Sequence, residues 1–310
     1  MIARLCALAL AVFALTACGG SAGNDDFPKV VTLGDSEIYA GILNTSVTVG
    51  ENRLVIELAD RADEPILGAE VHLRFFDLTG DDAVLTSETD ARFVAVERAY
   101  IDEQSPGKPR ETTGTDGAYV ARAAFARAGV WGMKVRVTRD DRTYDEFPFR
   151  FSVRERSDEP MLGESAPPSV QATIAVVPSI EDIDSSYPPR PYMHDLTIAD
   201  AVASGRPAVV AFATPAYCRS RLCAPVMDTV MDPLYAEYGA DAAFIHVEPY
   251  ELRDLRAGFV ENPVPATREW RLRSEPWVFV IDRQGRIAAK FEGIMALEEV
   301  EAALLAALGP

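Results

Sequence analysis

From residue 28 to about residue 155, apolar side chains recur at every second position. Leu54, Ile56 and Leu58 alternate in this way, as do Val71, Leu73 and Phe75. Lys134-Val135-Arg136-Val137-Thr138 continues the pattern, and so does Phe147-Pro148-Phe149-Arg150-Phe151-Ser152-Val153-Arg154. Alternation of this kind predicts strands with one buried face. Val49-Gly50-Glu51-Asn52, Thr79-Gly80-Asp81-Asp82 and Asp116-Gly117 supply turns between them. Pro148 cannot donate to a ladder, which assigns its strand to an edge. Short strands with such turns predict a β-sandwich. His72 falls out of phase with Val71, Leu73 and Phe75 and should face solvent, while Trp131 reads as core.

From residue 196 the period changes. Thr197-Ile198-Ala199-Asp200 fits a capping box, and Gly205 closes a short helix. Pro207–Ala213 and Ala243–Val247 are largely continuous apolar runs, as in strands buried on both faces. Trp277–Ile281, the turn Asp282-Arg283-Gln284-Gly285 and Arg286–Phe291 read as a hairpin. Leu297–Leu308 is an amphipathic terminal helix. Between the two patterned regions, residues 156–195 carry Pro160, Pro167-Pro168, Pro178, Pro188-Pro189 and Pro191. They read as an extended, semi-rigid linker, either a plain spacer or one whose end Tyr187 and Tyr192 pin onto the next domain.

The N-terminus changes the picture of where this chain resides. Arg4 precedes the apolar run Leu5–Leu15, which is too short to span a bilayer and reads as a secretory signal. Leu15-Thr16-Ala17-Cys18-Gly19 resembles the lipobox of bacterial lipoproteins. That resemblance implies cleavage before Cys18, lipid on Cys18, and a chain held at the cell membrane facing the periplasm or the exterior. Residues 1–17 are then the signal peptide and residues 18–27 a tether. Of the four cysteines, Cys6 leaves with the signal and Cys18 takes the lipid. Cys218 and Cys223 remain, in a compartment where disulfides form. The formal charge of −18 excludes general binding to nucleic acid.

Two further resemblances set expectations of fold. Residues 28–155 resemble bacterial immunoglobulin-like modules through Asn52–Leu58, Gly68-Ala69-Glu70-Val71, Asp116–Val120 and Ala128–Gly132. This implies a sandwich and no activity. Residues 196–310 resemble the thioredoxin-like superfamily. The carriers are the buried strand leading to Tyr217-Cys218, the segment Glu275-Pro276-Trp277-Val278-Phe279, and the ending Asp282–Gly293. The expected fold class is therefore an all-β sandwich followed by an α/β thioredoxin-like domain.

By that resemblance Cys218 is the exposed nucleophile and Cys223 the buried resolving thiol. Arg219 and Arg221 would stabilise the thiolate, and Tyr217, Glu275, Pro276 and Trp277 would face substrate. The implied activity is thiol–disulfide exchange with extracytoplasmic protein thiols or disulfides, through a redox-active disulfide and no other cofactor. The chain departs from the family in carrying four residues between its cysteines. On a regular helix, residues five apart lie roughly 8 Å from one another, so a disulfide here needs one cysteine outside the helix. Pro225 places the helix start near Ala224–Pro225. No acid stands near Phe212, Tyr217 replaces the usual tryptophan, and Glu275 stands where a neutral residue is usual.

The rival readings fit less of the chain. A structural staple would close a loop of only six residues, worth ~2 kcal/mol on the chain-entropy model, and would leave a binding lipoprotein without catalysis. The peroxiredoxin motif fails at Ala211 and Pro215. A copper chaperone needs a histidine where Ser274-Glu275 stands. His246 reads as packing in an inner strand and His194 as part of the linker, so no metal site is predicted.

Overall fold

The computed structural model describes residue 27 and residues 37–99, 112–144, 147–218, 220, 222–258 and 262–309. The signal segment, Cys18, the tether, Arg219 and Arg221 lie outside the described residues. No helix among the described residues is long and apolar enough to cross a membrane.

The N-terminal half holds eight strands. They are β1 (Ile38–Ile42), β2 (Gly50–Asp60), β3 (Glu70–Asp77), β4 (Val84–Ala99), β5 (Thr112–Phe125), β6 (Gly129–Arg139), β7 (Arg142–Thr143) and β8 (Phe147–Val153). They form one hydrogen-bonded path, β1-β2-β5-β4-β3-β6-β7, with β8 also on β6. The 16-residue β4 makes this continuity possible. Its first half pairs with β3 from Val84 to Ala91, and its second half pairs with β5 from Arg92 onward. Two separate sandwich sheets are therefore replaced by one sheet that folds over its own core. The alternating residues predicted to face inward do so: Leu54, Ile56, Leu73, Phe75, Val135 and Val137 are buried together with Trp131. Among named strands β8 pairs only with β6, so Pro148 stands on an edge. His72 sits on the polar face, beside Asp90 and Glu88.

The C-terminal half has β9 (Ala208–Phe212), β10 (Ala243–Val247), β11 (Trp277–Ile281) and β12 (Ile287–Glu292), in the order β10-β9-β11-β12. β9, β10 and β11 are buried at every residue, as their continuous apolar runs require. Among the described residues six α-helices accompany them: α1 (Ile198–Ser204), α2 (Cys223–Val226), α3 (Asp232–Tyr238), α4 (Leu252–Arg256), α5 (Pro265–Glu269) and α6 (Leu297–Leu308). Five of these have seven residues or fewer. Only β9 and β10 run parallel, and β11 lies antiparallel to β9 and β12 to β11.

This corrects the expected fold class. The molecule is mostly β, with about 20% helix, and its C-terminal region is a small mixed sheet with few helices rather than a clear α/β thioredoxin-like domain. Five-residue apolar runs announce central strands but leave their direction open.

Local signals were more exact. Thr197 accepts from the Asp200 amide while the Asp200 side chain accepts from that of Thr197, and Gly205 takes the left-handed C-cap at φ 69°. The β11–β12 turn uses Asp282, whose Oδ1 accepts from the amides of Gln284 and Arg286, and Gly285 at φ 72°. Residues 156–195 differ from an open spacer. Glu159, Ser169, Asp184, Ser185, Ser186, Arg190, Met193 and His194 are all buried there. Tyr192 stacks on Tyr235 at 4.2 Å and donates to Asp232, whereas Tyr187 is exposed.

Candidate functional site

The cysteine loop begins where β9 ends. Ala213 and Thr214 leave the strand buried, and the amides of Tyr217 and Cys218 both donate to the Thr214 carbonyl, curling the chain into a tight turn. Cys223 is the first residue of α2, with Pro225 in the first turn. The helix continues through a π turn (Met227–Met231) into α3. Pro233 lacks the amide that would continue the regular ladder, and the π turn ends two residues before it.

Cys218 and Cys223 form a disulfide with Cα atoms 6.0 Å apart. The helix thus starts one residue before the predicted point, with Cys218 alone in the loop. The bond is enclosed: Cys218 is 3% exposed and Cys223 is 0%. Cys218 is therefore not the exposed thiol the resemblance implied.

The other predicted residues divide into two groups. The peptide before Pro276 is cis, and the Glu275 carbonyl accepts from the Ser220 hydroxyl, which lies 3.1 Å from the Cys218 sulfur. Both sulfurs and one Glu275 carboxylate oxygen lie within 4.8 Å of one another. A carboxylate so placed raises the pKa of a free thiol nearby. Tyr217 is partly buried beside Cys218. Trp277 belongs elsewhere. It is buried, stacks on Phe279 at 5.4 Å and donates through its indole to Ser274. It lines a cavity of about 520 Å³ between the two halves of the molecule, together with Arg53, Lys290 and Glu299.

A second constellation lies behind the loop. The Ala216 amide donates to the Ser185 hydroxyl, and the Ser185 amide donates to the Glu248 carboxylate. Next to Ser185, Asp184 accepts from the amides of Ser186 and Arg190. His194 and His246 face Asp184, with ring centroids 5.1 Å apart. Burial opposes ionisation of Asp184, but the adjacent His194, the charge of the two imidazoles and the Ser186 bond outweigh it and hold its pKa below the carboxylate range. Burial pushes His246 down to about 4, against the pull of Asp184. Burial, reinforced by Asp184, keeps the Glu248 pKa well above its ordinary value.

The sequence reading missed this cluster. His194 and Asp184 stand in the proline-rich segment and His246 in an apolar strand, and no local spacing links them. The signal available was the share of histidine itself, since two of the chain's three histidines meet here.

Comparison with known proteins leaves function open. No family profile and no curated protein matches the chain. Among solved structures, a DUF4426 family protein from Pseudomonas aeruginosa PAO1 is 14% identical, covering 42% of this chain and 100% of its own, with a TM-score of 0.26. A likeness at that level carries no argument.

Proposed function

We propose that this chain is a lipid-anchored, extracytoplasmic thiol–disulfide exchange protein acting through Cys218 and Cys223. The observation that carries the reading is the disulfide's position, bridging the loop after β9 and the first residue of α2, with the backbone of Glu275 alongside. The reduced pair attacks a substrate disulfide through the Cys218 thiolate. A mixed disulfide forms and one substrate thiolate leaves. The Cys223 thiolate then attacks the Cys218 sulfur, which closes the internal disulfide and releases the second thiolate. Two electrons pass to the substrate. The reverse sequence oxidises a dithiol, and an external thiol or disulfide partner resets the pair.

Burial of both sulfurs favours a second reading, a binding lipoprotein in which the disulfide is a staple. The reduction potential of the pair in the full chain, poised in graded thiol buffers, separates the two. A value between about −270 and −120 mV supports exchange, and one below about −300 mV supports the staple. Cys218→Ser should abolish reduction of a model protein disulfide while the circular dichroism spectrum stays unchanged. Turnover that survives this change defeats the exchange mechanism.

A further inference from the structure

Asp184, His194 and His246 come from three separate places in the chain and meet in a buried site. Asp184 follows the 3₁₀ turn Ile180–Asp182, its oxygens fixed by the amides of Ser186 and Arg190. His194 directly follows the 3₁₀ turn Pro191–Met193. His246 lies on β10, paired with Ala211 of β9. None of the three is more than 2% exposed.

Their polar atoms are in an arrangement that the protein does not satisfy by itself. The His246 Nε2–H donates to the Ala213 carbonyl at 2.9 Å, so the proton of a neutral ring is on that nitrogen. Its Nδ1 therefore presents a lone pair, 3.6 Å from Asp184 Oδ1. His194 Nε2 lies 3.4 Å from Asp184 Oδ2. Neither nitrogen has a hydrogen-bond partner. Two buried imidazole nitrogens thus converge on one carboxylate. With its proton on Nε2, His246 meets the Asp184 carboxylate lone pair to lone pair. Buried polar atoms left in this state are costly and uncommon.

A cation between the three groups removes the conflict. Two imidazoles and a carboxylate are the donor set of first-row divalent ions. Bonds of about 2.0–2.1 Å in a tetrahedron set neighbouring ligand atoms about 3.3 Å apart. The two nitrogen–oxygen separations, each to a different Asp184 oxygen, are close to that edge, and one ligand atom from each residue lies within 4.8 Å of the others. The outer contacts are those of a metal-binding histidine, because the Ala213 carbonyl fixes the tautomer of His246. Both histidines line a cavity of about 190 Å³, bounded by Ile183, Leu252 and Ala266 and by Glu248. Three protein ligands leave a fourth coordination position.

We propose that Asp184, His194 and His246 bind one divalent first-row transition ion, with Zn²⁺ the best fit to the donor set and spacing. This site is independent of thiol exchange and stands whichever reading of the disulfide holds.

The test titrates the full chain, stripped with chelator, with Co²⁺ and then Zn²⁺. One equivalent of Co²⁺ with the visible bands of a four-coordinate nitrogen and oxygen site is expected, displaced by Zn²⁺. The Cys218→Ser/Cys223→Ser variant should bind equally well. Asp184→Asn and His194→Gln should each weaken binding by more than the about 10- to 100-fold that changes to outer contacts cost. If these variants fail to fold, X-ray absorption at the zinc edge of the wild-type chain decides instead, with nitrogen and oxygen neighbours and no sulfur expected. A wild-type chain that binds no ion overturns the proposal. So does binding that survives Asp184→Asn and His194→Gln, binding lost with the cysteines, or sulfur in the zinc shell.

Discussion

Glu292 shows how a single carboxyl is governed by a partner far along the chain. Its two oxygens accept from the Thr45 amide, 247 residues away in sequence, and the Ser274 hydroxyl donates to one of them at 2.6 Å. Burial raises its pKa above the ordinary 4.5, and these bonds recover only part of the cost of ionisation. The folded chain therefore holds a proton that the unfolded chain has released as pH rises above 4.5. Where the folded state binds more protons, stability falls with rising pH. The loss runs from the unfolded pKa up through the folded one, and stability is greatest below that window. Glu292→Gln keeps an acceptor for Thr45 and removes the titration. Chemical denaturation across this range should show a declining slope in the wild type that is absent, or much reduced, in the variant. Equal slopes would mean that Glu292 ionises as it does in the unfolded chain. In the sequence Glu292 figures only in the Asp282–Gly293 ending of the thioredoxin-like resemblance, because nothing in its neighbourhood announces Thr45.

At the scale of elements, arginine decides how the proline-rich segment is held. Arg190 is 4% exposed, and its guanidinium bonds Asp232 at 2.7 and 2.8 Å and Asp228 at 2.5 Å. The two aspartates stand four residues apart and so share one helical face. Burial works against the guanidinium's charge, but Asp232 and Asp228 together raise its pKa. Arg190→Ala should cost about 2–3 kcal/mol in equilibrium unfolding. That is below the 3–5 of a fully buried pair, because both carboxylates reach water. A loss under about 0.5 kcal/mol would show that the segment is held by its apolar contacts alone. Residues 156–195 read as a spacer because their prolines interrupt any period. The segment is tied down by long-range polar bonds and by buried Ala166 and Met193, neither of which leaves a period in sequence. The capping box at Thr197, the hairpin turn at Asp282 and the buried runs of β9, β10 and β11 were legible because each rests on residues a few positions apart. The direction of those strands, and the way β4 serves two neighbours, depend on contacts that no local spacing encodes.

At the scale of the molecule, the two halves share a seam, and that seam lies against the disulfide. Val55 is out of phase with Leu54, Ile56 and Leu58, yet it is 1% exposed. Its face of the N-terminal sheet is covered: Val55, Val94, Ala118 and Val120 pack with Ile294, and Leu222, the residue before Cys223, packs against them. Polar contacts continue the seam. Arg53 forms a two-point contact with Glu299 at 2.9 and 3.0 Å and donates to the Ile294 carbonyl, while Lys290 bonds Glu159. A thiol reagent must therefore either part this seam or open the cysteine loop from within. Val94→Ser distinguishes the two routes from the side of the sheet that carries no cysteine. It removes about 1.5 kcal/mol of apolar burial, equivalent to about tenfold in an opening equilibrium. If parting of the seam controls access, dithiothreitol should reduce the Cys218–Cys223 bond about tenfold faster in Val94→Ser than in the wild type, at a temperature where both are folded. An unchanged rate would assign access to the loop itself, and the N-terminal sheet would then support the site without governing entry to it. A faster rate would make that sheet part of the exchange machinery, since any substrate that parts the seam would expose the pair as it binds.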